Sequence, residues 1–316
     1  MLHKHVIVNG LKKIIMKSKL LLYLFIGFYS LNSLAQTTNL NFSNDSDFTV
    51  PGGVSEIIIE AWGGGGAGGT ADDGAAGGGG SGAYSKSTVI VTQGDKFKIT
   101  VGNGGTPEPG FGSGSATDGE ESKVTDFNDF SDVKVLAKGG KSISELNASE
   151  GSSGGDGLNG VGDERISGAK GSNAVGGNSG AGGSAPNGGG GGGASVAVSD
   201  NSPGEDGTSP GGGGSGAATN SGEVGGKGAI GRVTITYTVI EQTSTGDFND
   251  DQNWNENIVP GPNDNAIIQN DITSTLTQNR SVNSLNLNTG SEVNLNGKNL
   301  SVNGDITNNS EFTGGG

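Results

Sequence analysis

Cysteine is absent from the 316-residue chain, and its two histidines, His3 and His5, both lie close to the N-terminus. Without cysteine the chain cannot be a small secreted fold held together by disulfides. A chain that loses both histidines with its first residues cannot build a common zinc site, a Ser-His-Asp triad or a Cys-His dyad. Carboxylate, lysine and tyrosine chemistry is all that remains, and we therefore expect the protein not to be an enzyme.

Aromatic and basic residues are also scarce. The two tryptophans, Trp62 and Trp254, stand at the ends of strand-like runs and are predicted to be core residues. They offer few platforms for a sugar-cleaving cleft, although a pair of carboxylates that meet only in space stays open. With 18 Lys+Arg against 33 Asp+Glu, the net charge is −15. Such a chain has no basic field for nucleic acid or anionic lipid.

The first 35 residues have the pattern of a bacterial secretory signal peptide. A short basic segment beginning at Met16 is followed by a compact apolar run, and Ser33 and Ala35 are small residues at the positions that signal peptidase reads. The apolar run is short for a stable membrane anchor, although a retained transmembrane helix stays open. We predict cleavage after Ala35, with Met16 as the true start. The mature protein would be secreted or exposed at the cell surface, on the outer membrane.

Several runs in the next part of the chain have the pattern of half-buried β-strands. Apolar and polar residues alternate with a period of two, as in antiparallel sheets with one buried face. The runs lie at residues 54–62, 87–92, 97–101, 133–136 and 233–239. Together they predict a small β-sandwich.

Glycine recurs between these strands with a period of three. It supplies 31 of the 81 residues in 151–231, and one three-residue phase runs through residues 204–231. A polyproline II-type helix has three residues per turn and no internal hydrogen bonds, so glycine at every third position leaves one edge free for backbone-to-backbone packing. Collagen would need more proline. The pattern predicts a bundle of glycine-rich helices of the polyglycine II type, with a disordered segment as the alternative.

Four motifs resemble the glycine-rich domains of bacterial and phage proteins, including certain phage tail-fibre adhesin tips. They occur in the order FTVPGGVSEIIIEAWGGGG (48–66), GGSGAY (79–84), FKITVGNGG (97–105) and GAIGRVTITYT (228–238). The resemblance implies a β-sandwich base that carries a polyglycine II bundle. The loop sequences are not transferable, so it says little about a ligand.

The last part of the chain differs from the glycine-rich part in its composition and strand spacing. DFNDDQNW (247–254) and IVPGPNDNAII (258–268) resemble the start of β-helical stalk modules in surface proteins of the Bacteroidetes. Short strand-like runs follow at 284–287, 292–295, 299–302 and 305–307, and their spacing suits a β-solenoid. We therefore predict an all-β chain of three parts: signal peptide (1–35), glycine-rich domain (36–240) and the start of a solenoid (241–316). No capping rung is evident, so we expect the stalk to continue.

Ligand binding is expected in loops between the glycine helices, at residues 70–74, 106–119 and 163–167. The candidate binding residues are Asp72, Asp73, Glu108, Phe111, Asp163 and Arg165. No catalytic residue is predicted. Residues 155–160 match G-x-G-x-x-G, but no strand precedes them and no helix pattern follows, so no nucleotide cofactor is expected.

Two acidic sets offer oxygen ligands of the kind that Ca²⁺ prefers. One consists of Asp247, Asp250 and Asp251, and the other of Asp126, Asp129 and Asp132. Neither has the spacing of an EF-hand loop, and solvated surface charge is the competing explanation.

These features predict a secreted or cell-surface structural or adhesive protein, with a glycine-rich head on a solenoid stalk. The expected partner is a cell-surface glycan or protein receptor, or a matrix polysaccharide. An accessory module of a larger secreted polysaccharide-active enzyme is the main alternative. Ice binding is a further one, although the charged residues between the glycines do not form the regular array of small side chains that it needs.

Overall fold

The computed structural model describes residues 37–315 except 53, 111–114, 256 and 263, so the predicted signal peptide and Phe111 lie outside the described residues. The fold is all-β, with 33% of residues in strands and 2% in helices. The first eleven strands are β1 (Thr37–Phe42), β2 (Ser46–Thr49), β3 (Glu56–Trp62), β4 (Gly74–Ala75), β5 (Tyr84–Ile90), β6 (Lys96–Thr100), β7 (Ser122–Asp126), β8 (Val133–Ala137), β9 (Glu164–Ile166), β10 (Ala218–Thr219) and β11 (Arg232–Thr238). The remaining ten are β12 (Glu241–Gln242), β13 (Gly246–Asp247), β14 (Asn265–Ile268), β15 (Thr273–Thr275), β16 (Arg280–Val282), β17 (Ser284–Leu287), β18 (Glu292–Asn294), β19 (Leu300–Val302), β20 (Ile306–Asn308) and β21 (Glu311–Thr313). Two 3₁₀ turns lie at Val198–Asp200 and Asp251–Asn253.

Two antiparallel sheets share one apolar core. The five-stranded sheet has the order β1-β11-β3-β5-β9, and the four-stranded sheet has the order β2-β6-β7-β8. Alternate residues of both sheets, such as Ile57, Ile59, Ile235, Phe97 and Ile99, belong to a single cluster of buried side chains. Each such side chain contributes roughly 1.5–3 kcal/mol through removal from water. This core forms the base from which the glycine-rich segments extend.

Between the strands, the chain runs out from this base and back again in extended segments without strand pairing. The segments are 63–71, 76–83, 101–106, 117–121, 138–143, 150–157, 167–174, 179–184, 190–196, 203–209, 211–217 and 223–231. We call them together the glycine-rich bundle.

Hydrogen bonds inside the bundle follow a three-residue period. Successive N–H groups donate to different neighbours: Gly78 to Ser172 at 3.0 Å, Gly79 to Gly214 at 2.8 Å and Gly80 to Lys141 at 3.0 Å. Three residues after Gly78, Ser81 donates again to the first neighbour, at Ala169. The carbonyl groups of segment 76–83 accept from three further segments, namely 63–69, 152–155 and 180–183. The central segment is therefore bonded to six others, and buried backbone groups find partners between segments rather than within them.

Close packing explains why these positions are glycine. A Cβ atom added at Gly78 would lie 2.0 Å from the carbonyl oxygen of Ala181, and one at Gly213 would lie 2.3 Å from that of Gly79. No side chain fits at such distances. The segments approach each other backbone to backbone, and the sequence period of three follows from that geometry.

The C-terminal strands pair in parallel, in contrast to the sheets of the base. Three ladders form, with the orders β12-β14-β17-β20, β13-β15-β18-β21 and β16-β19. Ala266 pairs with Leu285, and Leu285 pairs with Ile306, so the chain returns to the same ladder after about 20 residues. The inward side chains of the ladders form a second apolar cluster. At its first turn, the Phe248 and Trp254 rings meet edge to face at 4.9 Å, and Trp254 Nε1 donates to the Phe248 carbonyl at 2.9 Å.

The base and the parallel ladders are in direct contact. The Asn265 side chain on β14 is fully buried, and its Nδ2 donates to the carbonyl oxygen of Val54, just before β3. Val54 itself belongs to the core of the base. The side chain of one part therefore satisfies a buried backbone acceptor of the other.

Candidate binding surface

The turns that connect outgoing and returning glycine segments meet at the end of the bundle remote from the base. They comprise residues 72–75, 144–149, 175–178, 197–202 and 219–222, which we call the far-end surface. At about 3.1 Å per residue, segment 63–71 places this surface roughly 25 Å from the base. Side chains link the turns. Asn147 Oδ1 accepts from Asp72 N at 2.8 Å, and Asn201 Oδ1 accepts from Thr219 Oγ1 at 2.7 Å.

Backbone contacts continue these links across the surface. Val198 N–H donates to Gly177, β4 pairs with β10, and Ala174 N–H donates to Ser149. Asn147 and Asn201 both have positive φ, at 56° and 46°, a conformation in which asparagine is tolerated better than most residues. The turns therefore form one connected surface held in shape by asparagine side chains.

The far-end surface is acidic. Its turns contain no lysine or arginine, and Asp72, Asp73, Glu145 and Asp200 are all exposed. Hydroxyl and amide side chains fill half of the remaining positions. Such a surface suits hydrogen bonding to neutral hydroxylated ligands or attraction of cationic groups, and it repels polyanions.

Asp72 and Asp73, in the predicted loop 70–74, are both exposed on this surface, and their role in binding stays a prediction. Glu108 lies beside them, because its backbone carbonyl accepts from Thr70 Oγ1 at 2.9 Å. The residue is 3% exposed, so it is not presented to solvent in this structure. Phe111, from the same predicted loop as Glu108, is outside the described residues.

Asp163 and Arg165 lie elsewhere, beside the base. The prediction of a loop at 163–167 is wrong, because Glu164–Ile166 forms the edge strand β9 and pairs with β5. Asp163 Oδ2 accepts from Thr88 N at 2.9 Å, and Arg165 Nη1 reaches the carbonyls of Leu158 and Gly160 at 3.3 and 3.4 Å. Both side chains form hydrogen bonds at the edge of the five-stranded sheet, far from Asp72 and Asp73.

The carboxylate of Asp247 is occupied by its own turn. Its Oδ1 accepts from Asn249 N at 2.9 Å, and its Oδ2 accepts from Thr277 Oγ1 at 2.7 Å. Burial acts to raise the pKa of Asp247, but these hydrogen bonds outweigh it and hold the pKa below its usual value. Asp250 accepts from Gln252 N, and Asp251 from Gln252 Nε2. Within the described ranges, no group of three or more acidic or histidine side chains is placed to hold a metal ion. The calcium hypothesis stays a prediction.

A groove of about 300 Å³ runs along the side of the bundle, between segments 117–121, 138–143 and 150–157. Lys138 Nζ lies 2.7 Å from Glu121, and Lys141 Nζ lies 2.7 Å from Asp118. The hydrogen bond from Lys138 holds the pKa of Glu121 below its usual value, although burial acts in the opposite direction. The charges of the groove largely neutralise each other.

A second polar cluster lies where the five-stranded sheet meets the bundle. Burial, and next the hydrogen bond to Glu60, raise the pKa of Tyr84 well above its usual value; Tyr84 Oη donates to Glu60 Oε1 at 2.6 Å. The Tyr84 ring lies 5.1 Å from that of Trp62, whose Nε1 donates to the Pro186 carbonyl at 2.9 Å. Trp62 is 4% exposed and confirms the expectation of a core residue at a strand end.

Sequence reasoning missed the asparagines that shape the far-end surface. Asn147 and Asn201 each stand where the three-residue glycine phase is broken. Asparagine at such a break is a recognisable turn signal, since its side chain bonds to nearby backbone and it tolerates positive φ. The pattern gives no hint, however, of which turns meet.

Comparison with known proteins fits this architecture. The profile of a family described as "Glycine-rich domain" matches residues 40–238, from β1 to the end of β11. The match covers well over half of the chain, and the chain belongs to this glycine-rich domain family. A comparison with curated proteins gives no match. In the described part of the chain, no helix has the length and apolar character needed to cross a membrane.

Proposed function

We propose that this protein is a secreted or cell-surface structural or adhesive protein, without enzymatic activity, in which a rigid glycine-rich head presents binding turns on a stalk. In this proposal the two sheets are a β-sandwich base, the bundle is a polyglycine II array, and residues 241–316 begin a β-solenoid. The glycine-rich domain spans 36–240. The leader directs export, and the mature protein faces the cell exterior.

One observation carries the proposal: the far-end surface is continuous and is supported by segments bonded to one another along their length. Turns on a rigid scaffold are where binding residues are commonly found, because the scaffold bears the ordering cost in advance. Hydrogen bonds with a three-residue period and glycine at each close approach support the polyglycine II assignment. The parallel ladders with a repeat of about 20 residues support the solenoid assignment.

The surface chemistry points to the partner class. Exposed carboxylates, hydroxyls and amides suit a neutral glycan or a receptor with basic groups, and they disfavour nucleic acid. A surface glycan, a protein receptor or a matrix polysaccharide fits this description. No resident cofactor is proposed.

The test compares two double variants of the whole chain on a glycan array and on intact cells. Asp72→Asn with Asp73→Asn alters the far-end surface, whereas Asp305→Asn with Glu311→Gln changes the same number of exposed carboxylates on the ladders. We expect wild type and the ladder variant to bind alike and the far-end variant to lose most binding. Equal binding by both variants, or no binding by wild type to any glycan or cell surface, would contradict the proposal.

A further inference from the structure

The outward face of the five-stranded sheet carries a polar strip along β1 and β11. Leu40, Phe42, Val233 and Ile235 pack into the core, so the alternate residues of these strands face outward. In paired register they are Thr37, Asn39 and Asn41 on β1 and Arg232, Thr234, Thr236 and Thr238 on β11. We call these seven side chains the outer strip. It lies at the base and is separate from the far-end surface.

Arg232 is the one charged residue of the outer strip, in a chain whose net charge is −15. Its guanidinium stacks on the Trp62 ring at 4.8 Å from the centroid. It makes no ion pair or hydrogen bond with any other residue that the structure describes, and its Nε is buried without an acceptor. A guanidinium has five N–H donors, and leaving them unpaired in a partly buried position is costly.

The nearest acidic strand neighbour does not neutralise Arg232. Glu60 lies on β3 between β11 and β5, and its carboxylate accepts from Tyr84 on β5. Trp62 occupies the position on β3 directly opposite Arg232. The indole therefore lies directly opposite the cation, whereas Glu60 lies opposite Thr234 and is bonded to Tyr84.

Hydrogen-bonding groups beside Arg232 also have spare capacity. Thr234 Oγ1 donates to Asn41 Oδ1 at 2.8 Å, and Thr236 Oγ1 donates to Asn39 Oδ1 at 2.6 Å. These bonds use the oxygen of each amide, and neither Nδ2 has a protein partner among the described residues. The strip thus offers amide N–H donors and threonine oxygen acceptors in a row, the chemistry that meets sugar hydroxyls.

We propose that the outer strip binds an acidic oligosaccharide of the uronic-acid type. The sugar carboxylate pairs bidentately with Nη1 and Nη2, the two terminal groups of the planar Arg232 fork, since Nε is buried. Sugar hydroxyls bond to Asn39, Asn41 and Thr236, because Thr234 is buried within the strip. From Arg232 to Thr238 the strip spans about 20 Å, room for a short oligosaccharide.

The other end of the strip sets the direction of the ligand. A groove of about 320 Å³ lies there, lined by Thr236, Thr238 and Ile258, but also by Glu56 and Asp264. Two carboxylates at this end repel an acidic group. The charged sugar therefore lies at Arg232 and the neutral part of the ligand extends toward the groove.

Isothermal titration of the whole chain with a tetrasaccharide that carries a single uronic acid at one end, and with the neutral tetrasaccharide in which a hexose replaces that acid, tests this proposal. We expect the acidic ligand to bind and the neutral one not to, with affinity falling as ionic strength rises. Arg232→Gln should weaken binding about tenfold or more, since charge-assisted hydrogen bonds are lost. Lys170→Gln, the same charge change on an exposed bundle residue, should bind as wild type does.

A second variant keeps the test decisive if Arg232→Gln fails to fold. Thr236→Glu places a carboxylate in the strip at a partly exposed position and should abolish binding, whereas Ser199→Glu on the far-end surface should not. The Asp72→Asn, Asp73→Asn variant should bind the acidic tetrasaccharide normally, which separates the two surfaces. No binding by wild type, or undiminished binding by Thr236→Glu, would overturn the proposal.

Discussion

Replacing Gly78 with alanine tests the packing of the bundle at its centre. The new Cβ would lie 2.0 Å from the carbonyl oxygen of Ala181 and 2.4 Å from its carbonyl carbon. Both atoms belong to backbone, so they cannot swing away as a side chain would. Segment 179–184 would have to move by about 1 Å or more to restore van der Waals contact, and overpacking of this kind costs about 1–3 kcal/mol.

Hydrogen bonds add to that cost. Gly78 N–H donates to Ser172 at 3.0 Å, and the Gly78 carbonyl accepts from Ser152 N–H at 3.0 Å. Losing either one in a buried setting costs about 1–3 kcal/mol. We therefore expect Gly78→Ala to lower the free energy of unfolding by about 2–6 kcal/mol, a large part of the 5–15 kcal/mol typical of a domain. For a unit of this size that is a fall in Tm of roughly 4–24 °C.

Gly191→Ala is the matched control. Its nearest neighbour is Thr208 Oγ1 at 3.7 Å, an ordinary contact, and its φ is not in the left-handed region. Alanine there reduces the entropy of the unfolded chain and should be neutral or stabilising by up to about 1 kcal/mol. Thermal unfolding followed by circular dichroism compares the two variants. If both alanines leave Tm unchanged, segment 76–83 is not packed as described.

Three further predictions concern other parts of the chain. Trp254→Ala removes the buried ring that meets Phe248 and should destabilise the parallel ladders by about 3–5 kcal/mol in urea unfolding. Ile258→Ala, at a side chain 53% exposed, should change the stability little. Equal effects of the two variants would contradict the described core. The pKa of Glu121 is depressed in the folded state from its usual 4.5, so its contribution to stability is present above that pH and is lost as the pH falls through the lower folded value. Glu121→Gln should therefore lessen the acid dependence of Tm, whereas Glu145→Gln, at an exposed side chain, should not. Identical acid profiles for wild type and Glu121→Gln would refute the Lys138 contact. Because Asp247 already accepts hydrogen bonds at both oxygens, we expect Ca²⁺ or a chelator to leave Tm unchanged. If Ca²⁺ instead raises Tm, and the double variant Asp250→Asn, Asp251→Asn abolishes that rise, a calcium site is established.

Strands with strong alternation could be predicted closely from the sequence. The predicted runs at 97–101, 133–136 and 233–239 correspond to β6, β8 and β11 within one residue at each end. The short runs at 284–287 and 299–302 correspond equally well to β17 and β19. In β6 and β11 the inward residues are β-branched or aromatic and the intervening ones are polar, so the local pattern reflects the side of the sheet that packs on the core.

Strands that are short or mostly polar could not be predicted. β9 is three residues long, carries Glu164 and Arg165, and pairs with β5 about 80 residues away. Nothing in its own composition distinguishes it from a loop. β1 is similar, since Thr and Asn fill its outward positions, and its pairing with β11 spans nearly the whole domain. Tertiary context overrides local propensity in both.

The candidate surfaces were likewise predicted only in part from the sequence. Asp72 and Asp73 follow from the break in the glycine phase, and the structure places both on the far-end surface. Glu108 lies in a similar break but is buried, because its loop folds back against Thr70. The outer strip was not predicted. Arg232 is unpaired because the Glu60 carboxylate accepts a hydrogen bond from Tyr84 rather than from the guanidinium. A sequence pattern does not contain that information.

Amide hydrogen exchange across the bundle tests most directly whether the glycine-rich segments are ordered. Segments 63–71, 76–83 and 211–217 have regularly hydrogen-bonded N–H groups deep in the structure, so their exchange should be slowed to the rate of the β3 and β11 core strands. The turns of the far-end surface should exchange faster. Exchange of segment 76–83 at the rate of an unstructured glycine-rich peptide would contradict a packed bundle and would favour a disordered head.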